Sequence, residues 1–415
     1  MASRAAPAPP PPQTDPYAAL RVRDFRLYLI GNFIGTMGME MVTVAVGWDL
    51  YERTGSALAL GGVGLAQVLP VFLLTLPAGH VSDRFDRRRL LIGAQLVLAT
   101  AFIGLAATSL AHGTILLMYV CLALAGVGRA FQGPAKDALS PQLVPPALFP
   151  NAATWRSTSW QLAAVLGPGA GGLVIGATHH ATPAYGLAGL AELAFAMLVA
   201  PVKARAFVPT AREGMLDTLH EGIRFLRETQ IILATITLDM FAVLLGGATM
   251  LLPIYAKDIL HVGPTGLGWL LAAPAVGALV TAVLMAHAPP LRRAGRSLLL
   301  AVSAYGVATI AFGVSRSFAL SLALLVLVGA FDMVSVVIRN TLLQVLTPDD
   351  LRGRVSAVNG LFTGTSNELG GFESGTLAAA IGPVAAVVVG GIGALLVVAT
   401  TAAIWPEMRN LGSLG

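Results

Sequence analysis

The sequence predicts an all-α membrane protein of twelve transmembrane helices, arranged as two six-helix pseudo-symmetric halves around a central cavity. Three observations carry that prediction. The 415 residues are 56% hydrophobic and 11% charged, with a mean hydropathy of +0.77, more apolar than a soluble core requires. Apolar runs of about twenty residues, the length that crosses a bilayer, recur along the whole chain. Lys and Arg collect at alternate ends of those runs.

Residues 1–24 hold the stretch APAPPPPQ and no apolar run, so they read as a disordered cytosolic tail and not as a cleaved signal. The first span, 25–50, ends before the Gly55-Ser56 break, and the second, 57–79, runs into a charged loop. Spans 90–111 and 114–131 are separated by His112 and Gly113, and 152–177 follows the Pro-rich PPALFP. The pair of His residues after Ala177 precedes 183–202. In the second half the spans are 231–256, 266–286, 297–314, 318–338, 355–380 and 384–404, broken in turn by His261 to Pro264, Pro289 to Arg296, Ser315 to Ser317, Thr347 to Arg354 and Gly382-Pro383. Residues 405–415 are a second cytosolic tail. The polar interval 203–230 divides the spans six and six; Met215, Leu216, Leu219, Ile223 and Leu226 within it form an apolar stripe at helical spacing, which predicts an amphipathic helix on the inner membrane surface.

Basic residues set the orientation. Arg84, Arg87, Arg88, Arg89, Lys203, Arg293, Arg296 and Arg409 fall on one side, against Arg53, Lys257 and Arg316 on the other, so both termini are expected in the cytoplasm. A shift of 203 residues lays LGPGAGG, from Leu166, on LGGFESG, from Leu369, and Val144 to Leu148 on Thr347 to Leu351. Parallel repeats of this kind are what a transporter with a cavity between two halves would carry.

The stretch GHVSDRFDRRR, Gly79 to Arg89, is the most charged part of an apolar region. Its Gly is expected to end one helix, Asp83 to face a helix N-terminus across the boundary between halves, and the Arg cluster to latch carboxylates or lipid phosphates. A positive-inside anchor alone would account for the Arg residues and leave Asp83 and Asp86 unexplained.

This loop resembles the signature of the major facilitator superfamily, Gly-x-x-x-Asp-Arg-x-Gly-Arg-Arg, at Gly79, Asp83, Arg84, Arg87 and Arg88, with Asp86 in place of the second Gly. GRAFQG, from Gly128, is similar to that superfamily's fourth-helix motif, and GPGAGG, from Gly167, to the fifth-helix motif of its antiporters. PDDLRGRVSAVNGLF, from Pro348, and FESG, from Phe372, are similar to the bacterial branch that contains the enterobactin exporter and macrolide efflux proteins. The resemblance implies a gating latch in which Asp83 contacts the eleventh helix and Arg87 pairs with Asp137. The second-half loop, Arg292 to Arg296, lacks the Asp, so a latch there is incomplete.

Ionisable groups at membrane depth are functional candidates by default. Glu40, Arg129, Glu192, Asp239, Asp332, Glu368 and Glu373 all fall within predicted spans, and all but Glu192 are taken as candidates for binding substrate or protons. Arg129 and Asp332 stand one repeat apart, which predicts opposite charges facing a common cavity. Glu368 and Glu373 are five residues apart, about 140° round a helix, so one of them points inward, and Glu373 is favoured for its place in the repeated Gly motif. A carboxylate in such a cavity can bind and release a proton near neutral pH, as proton-coupled exchange requires. Gly167, Pro168, Gly171 and Gly172 are expected to let helices approach closely.

The remaining features point elsewhere only weakly. Cys121 stands alone in an apolar run, so no disulfide forms within the chain, and His179 and His180 lack acidic neighbours for a metal site. No phosphate loop or nucleophile constellation stands out, which argues against an ATPase or a membrane enzyme. The expectation is a proton-coupled exporter of a small organic molecule (drug, siderophore or metabolite) in the inner membrane, with protons and lipids as its other partners. It is expected to be a monomer, to hold no cofactor or metal and to bind no nucleic acid. An importer or facilitator of a polar metabolite, and a non-transport receptor on the same scaffold, are the competing readings.

Overall fold

The structure is a computed structural model that describes residues 15–203, 221, 224–289, 293–348, 351–410 and 412; the side chains at 76, 80, 83, 352, 353, 356, 357, 361, 368 and 410 lie outside the description. Long helices make up nearly all of it: α1 (Arg23–Thr54), α2 (Ala57–Arg84), α3 (Arg87–Leu110), α4 (Ile115–Leu139), α5 (Phe149–Thr178), α6 (Thr182–Val199), α7 (Gln230–Gly246), α8 (Gly263–His287), α9 (Ala294–Val314), α10 (Phe318–Leu346), α11 (Arg352–Ile381) and α12 (Pro383–Ile404). Among the described residues, eleven candidate spans are long and apolar enough to cross a membrane, and the protein is a multi-pass membrane protein. Helix α11 is the long helix missing from those eleven, because Asn359, Thr363, Thr365, Asn367, Glu368 and Glu373 dilute its apolar residues.

Helices end where the backbone chemistry requires. Gly55 terminates α1 in the left-handed region at φ 58°, and Ser56 then caps α2 by accepting from the Ala59 N–H at 3.3 Å. Gly382, at φ 88°, turns α11 into α12. Helix α7 continues through a 3-10 turn and a π-helical turn, Tyr255–Ile259, which together complete its span.

The packing has a six-helix period. Helix α1 packs on α5 and α6, α4 on α2 and α3, and α3 on α6; correspondingly, α7 packs on α11 and α12, α10 on α8 and α9, and α9 on α12. The two sets meet where α2 packs on α11 and α5 on α8. The start of α1, the end of α6, the start of α7, the end of α12 and the α2–α3 connection share one end of the bundle, hereafter the near end; the α1–α2, α5–α6 and α7–α8 connections share the far end.

Part of the predicted N-terminal tail is packed. Pro16 O accepts from Asn151 Nδ2 and Trp155 Nε1, and the Tyr17 and Trp155 rings lie 5.8 Å apart. The amphipathic stripe at Met215, Leu216, Leu219 and Ile223 lies outside the described residues; Leu226 is buried against Ile232, Val355 and Val358.

Candidate functional site

The main cavity described here lies between α1, α2 and α4 on one side and the end of α7 with α8 on the other. Its walls are apolar (Val42, Val46, Leu60, Val63, Phe102, Leu122, Leu271), and it encloses about 970 Å³ of non-atom space including its open mouth. Beside the hydroxyls of Thr43 and Thr249, it is entered near mid-helix by Glu40 from α1, Gln67 from α2 and Arg129 from α4. Arg129 donates to Gln67 Oε1 at 2.5 Å, so a guanidinium is held at a fixed place beside the Glu40 carboxylate. Glu40 is positioned from behind by the fifth-helix Gly motif. A Cβ on Gly167 would come within 2.5 Å of Glu40 Cβ and 2.9 Å of Met37 O, and one on Gly171 within 3.1 Å of Met41 Cα. The glycines therefore let α5 support the α1 backbone at the acid.

Asp332 is elsewhere. It lines a second, smaller pocket between α7, α9 and α10 with Asp239, Tyr305 and Ser335, and none of its lining residues is shared with the main cavity. The expectation that Arg129 and Asp332 face one cavity is corrected: an equal offset along each repeat puts them in equivalent helices on opposite sides of the boundary, each facing into its own set. Asp239 is ion-paired to Arg339, a residue just past the predicted tenth span and overlooked there; α10 continues to Leu346 and carries it inside. Glu373 is half-buried on α11 beside Ser374 and lines neither cavity; the Glu368 side chain lies outside the description.

Glu192 is fully buried in α6, with the charge of Lys136 acting on it, and Gly35 of α1 leaves it room: a Cβ there would meet its Oε2 at 3.1 Å. Both its carboxyl oxygens are buried without a hydrogen-bond partner at the α1–α6 contact.

The signature loop departs from expectation in two ways. Gly79 does not end α2, which runs on to Arg84 before Phe85 turns out at an extended backbone angle. Asp86 caps α3, accepting from the Arg88 N–H at 2.9 Å and the Arg89 N–H at 3.4 Å; with φ at −57°, the position has no need of the Gly that the superfamily signature carries. Asp83 stands in the last turn of α2, with its side chain outside the description. Arg87 donates to Ala138 O at 3.3 Å, while Asp137 accepts from Arg156 at 2.9 Å, a cation that the sequence did not suggest. Arg88 donates to Ala200 O and Val202 O, both at 3.1 Å, closing the end of α6 with a cation.

The two sets touch backbone to backbone at the far end. A Cβ on Gly172 would lie 2.6 Å from Pro264 O and 2.9 Å from Gly268 Cα; one on Gly375 would lie 2.6 Å from Gly61 Cα. Gly172 and Gly375 are the residues that the 203-residue shift superposes, so the weak repeat in the sequence marks equivalent contacts, α5 on α8 and α11 on α2. Thr265 Oγ1 donates to Gly172 O at 3.3 Å, and Tyr51 donates to Asp258 across the same end. Asp49, in the last turns of α1, is clasped by Arg53 at 2.7 Å, and Arg53 also bonds Gly113 O and Ser109 O.

Solved structures with this fold are membrane transporters. The nucleoside transporter NupG (D323A mutant) matches with TM-score 0.72 at 10% identity over 92% of this chain and 100% of that one, and the peptide-transporter family member PepTSo with TM-score 0.75 at 10% identity over 94% and 99%. Within that class the chain belongs to the transmembrane secretion effector family of the major facilitator superfamily, whose sequence model matches residues 14–412. It is similar to the multidrug efflux pump Tap of Mycolicibacterium fortuitum, 28% identical over 368 residues (86% of this chain, 89% of the relative), and to the enterobactin exporter EntS of Escherichia coli K12, 27% identical over 393 residues (93% and 92%). The chain is a membrane transporter and not an enzyme.

Proposed function

We propose that the protein exports a small organic molecule across the inner membrane in exchange for protons, working as a monomer of two six-helix halves with α11 as the twelfth span. The observation that carries this reading is the Glu40–Arg129–Gln67 group, set near mid-membrane in a mainly apolar chamber between the halves. An apolar chamber with a few fixed polar groups suits an amphipathic organic molecule. The six-helix period of the packing supports two halves, and the named relatives, an efflux pump and a siderophore exporter, support export.

Both termini are then cytoplasmic, because Arg84, Arg87, Arg88, Arg89, Lys203, Arg293, Arg296 and Arg409 gather at the near end and only Arg53, Lys257 and Arg316 at the far end. The far end, shut by the glycine contacts, is the outer face, and the structure corresponds to the state closed to the outside. Proteoliposomes carrying the purified protein test the reading with ethidium as a lipophilic cationic probe and a catecholate siderophore as an anionic one. Accumulation of either against its gradient under an imposed pH difference is expected, with loss in Glu40→Gln. Flux that ignores the pH difference would remove the coupling, and no flux of any probe would remove the exporter.

A further inference from the structure

We infer that the pocket between α7, α9 and α10 is a cation site distinct from the substrate cavity, and that its occupant is a proton on Asp332. The inference rests on the ion-coupled reading above and names where the ion binds. The pocket has about 240 Å³ of non-atom space against about 970 Å³ in the main cavity, and so suits an ion more than an organic molecule.

The charges in and around it do not cancel. Asp332, Ser335 and Arg339 follow one stripe of α10 at spacings of three and four residues. Arg339 is 4% exposed and its charge is already matched by Asp239 of α7. Asp332 is the remaining carboxylate, and among the described residues it has neither an ion pair nor a hydrogen bond. Among the described side chains, the neighbouring elements place no second cation in the pocket lining; on α11, Arg354 pairs with Glu221. On α9, Tyr305 lines the pocket and donates to Gly246 O at 3.1 Å, and Arg296, at the helix start, bonds Arg409 O. Helix α8 carries no ionisable group before His287, which sits at its last position against Val283 O, and α12 carries none.

Two ionised carboxylates and one guanidinium would therefore leave a net negative charge near mid-membrane, a state that needs an occupant. Arg339 reinforces the point. Its Nε is buried without a hydrogen-bond partner, so the group is held by charge and not by a saturated hydrogen-bond network that would fix it to Asp239 alone. A proton on Asp332 restores neutrality and needs no coordination shell. A metal cation would need several oxygen ligands, and beyond its carboxylates the pocket offers one Ser hydroxyl and one Tyr hydroxyl already donating to a carbonyl.

The test reads the carboxyl group directly and needs no substrate. Infrared difference spectra of the full-length protein in lipid, recorded across a pH titration in potassium and in sodium buffer, are compared for the parent, Asp332→Asn, Asp332→Glu and Glu373→Gln. Beside any bands of Glu40 and the buried Glu192, one component of the protonated carboxylic acid absorption is expected in the parent and in Glu373→Gln, lost in Asp332→Asn and restored, displaced, in Asp332→Glu; the restoration separates a lost proton site from a misfolded variant. Carboxylic acid absorption identical in every component in the parent and in Asp332→Asn would overturn the proposal. So would a band that sodium removes at constant pH, which would make the occupant a metal cation. A proton found on Asp332 in a protein whose flux ignores the pH difference would leave the site standing and sink the coupled-export reading alone.

Discussion

The Tyr51 hydroxyl donates to Asp258 Oδ2 and joins the last turn of α1 to the π-helical turn that follows α7, while Lys257 Nζ lies 5.7 Å from the centre of the same ring. This contact spans the far end of the boundary between the two helix sets. A hydrogen bond to a charged acceptor contributes about 1.5 to 3 kcal/mol, enough to shift a two-state equilibrium by a factor of roughly 10 or more. In Tyr51→Phe the far end should open more often. A cysteine introduced at Thr249, which lines the main cavity, should then react with an impermeant maleimide added from outside about ten times faster than in the same protein with Tyr51 intact. Equal rates would exclude the contact as a restraint on the far end.

Closure of that end also depends on the absence of side chains at two points. Because a Cβ at Gly172 would meet Pro264 O at 2.6 Å, Gly172→Val cannot retain the observed contact. Transport should be lost while the protein remains folded and monodisperse, and Gly375→Val should behave alike from the opposite side. Normal flux in either variant would mean that the closed end is not part of the cycle.

Asp49 is 6% exposed and depends on Arg53, whose side chain also takes two carbonyls at the α3–α4 connection. Removing one member of a buried pair costs about 3 to 5 kcal/mol, whereas replacing both by apolar residues can be nearly neutral. Arg53→Met should lower unfolding stability in detergent by about that amount, and Arg53→Met with Asp49→Leu should recover most of it. Additive losses in the double variant would refute the pairing.

At Asp86 the expected effect is smaller. Asp86→Ala should cost about 1 kcal/mol through the lost cap, and Asp86→Gly only a few tenths. Limited proteolysis at the α2–α3 loop measures the difference; faster cleavage of the Gly variant than of the Ala variant would contradict a capping role.

The membrane helices were legible because bilayer length and charge breaks are local signals: Gly55, Gly382 and the polar stretch after Val202 mark boundaries that recur in the structure to within a few residues. The helices at Arg129 and Glu40 were also legible, since a charge in an apolar run stands out on its own. Partnerships were not. Whether Arg129 meets Asp332 or Gln67 depends on which way each helix faces and how the two sets dock, and Gln67, being uncharged, is not singled out by a search for ionisable groups in apolar runs. Arg339 was missed for a related reason: it lies beyond the predicted end of its span, and only the extra length of α10 carries it inside. Asp86 shows the reverse case, a departure from the superfamily motif that acts as a cap in the helix.

The glycine contacts have a mechanical consequence. Helices that meet through Leu or Ile side chains mesh like gear teeth, and sliding them apart lifts each tooth over the next. At Gly172 on Gly268 and at Gly61 on Gly375 there are no teeth, only smooth backbone against smooth backbone. Such a surface is a bearing: its two sides can shear or part without a ladder of intermediate jams, so resistance to opening must come from the few separate fasteners beside it. The fasteners the structure shows beside these surfaces are the Tyr51–Asp258 bond and the Thr265 bond to Gly172 O.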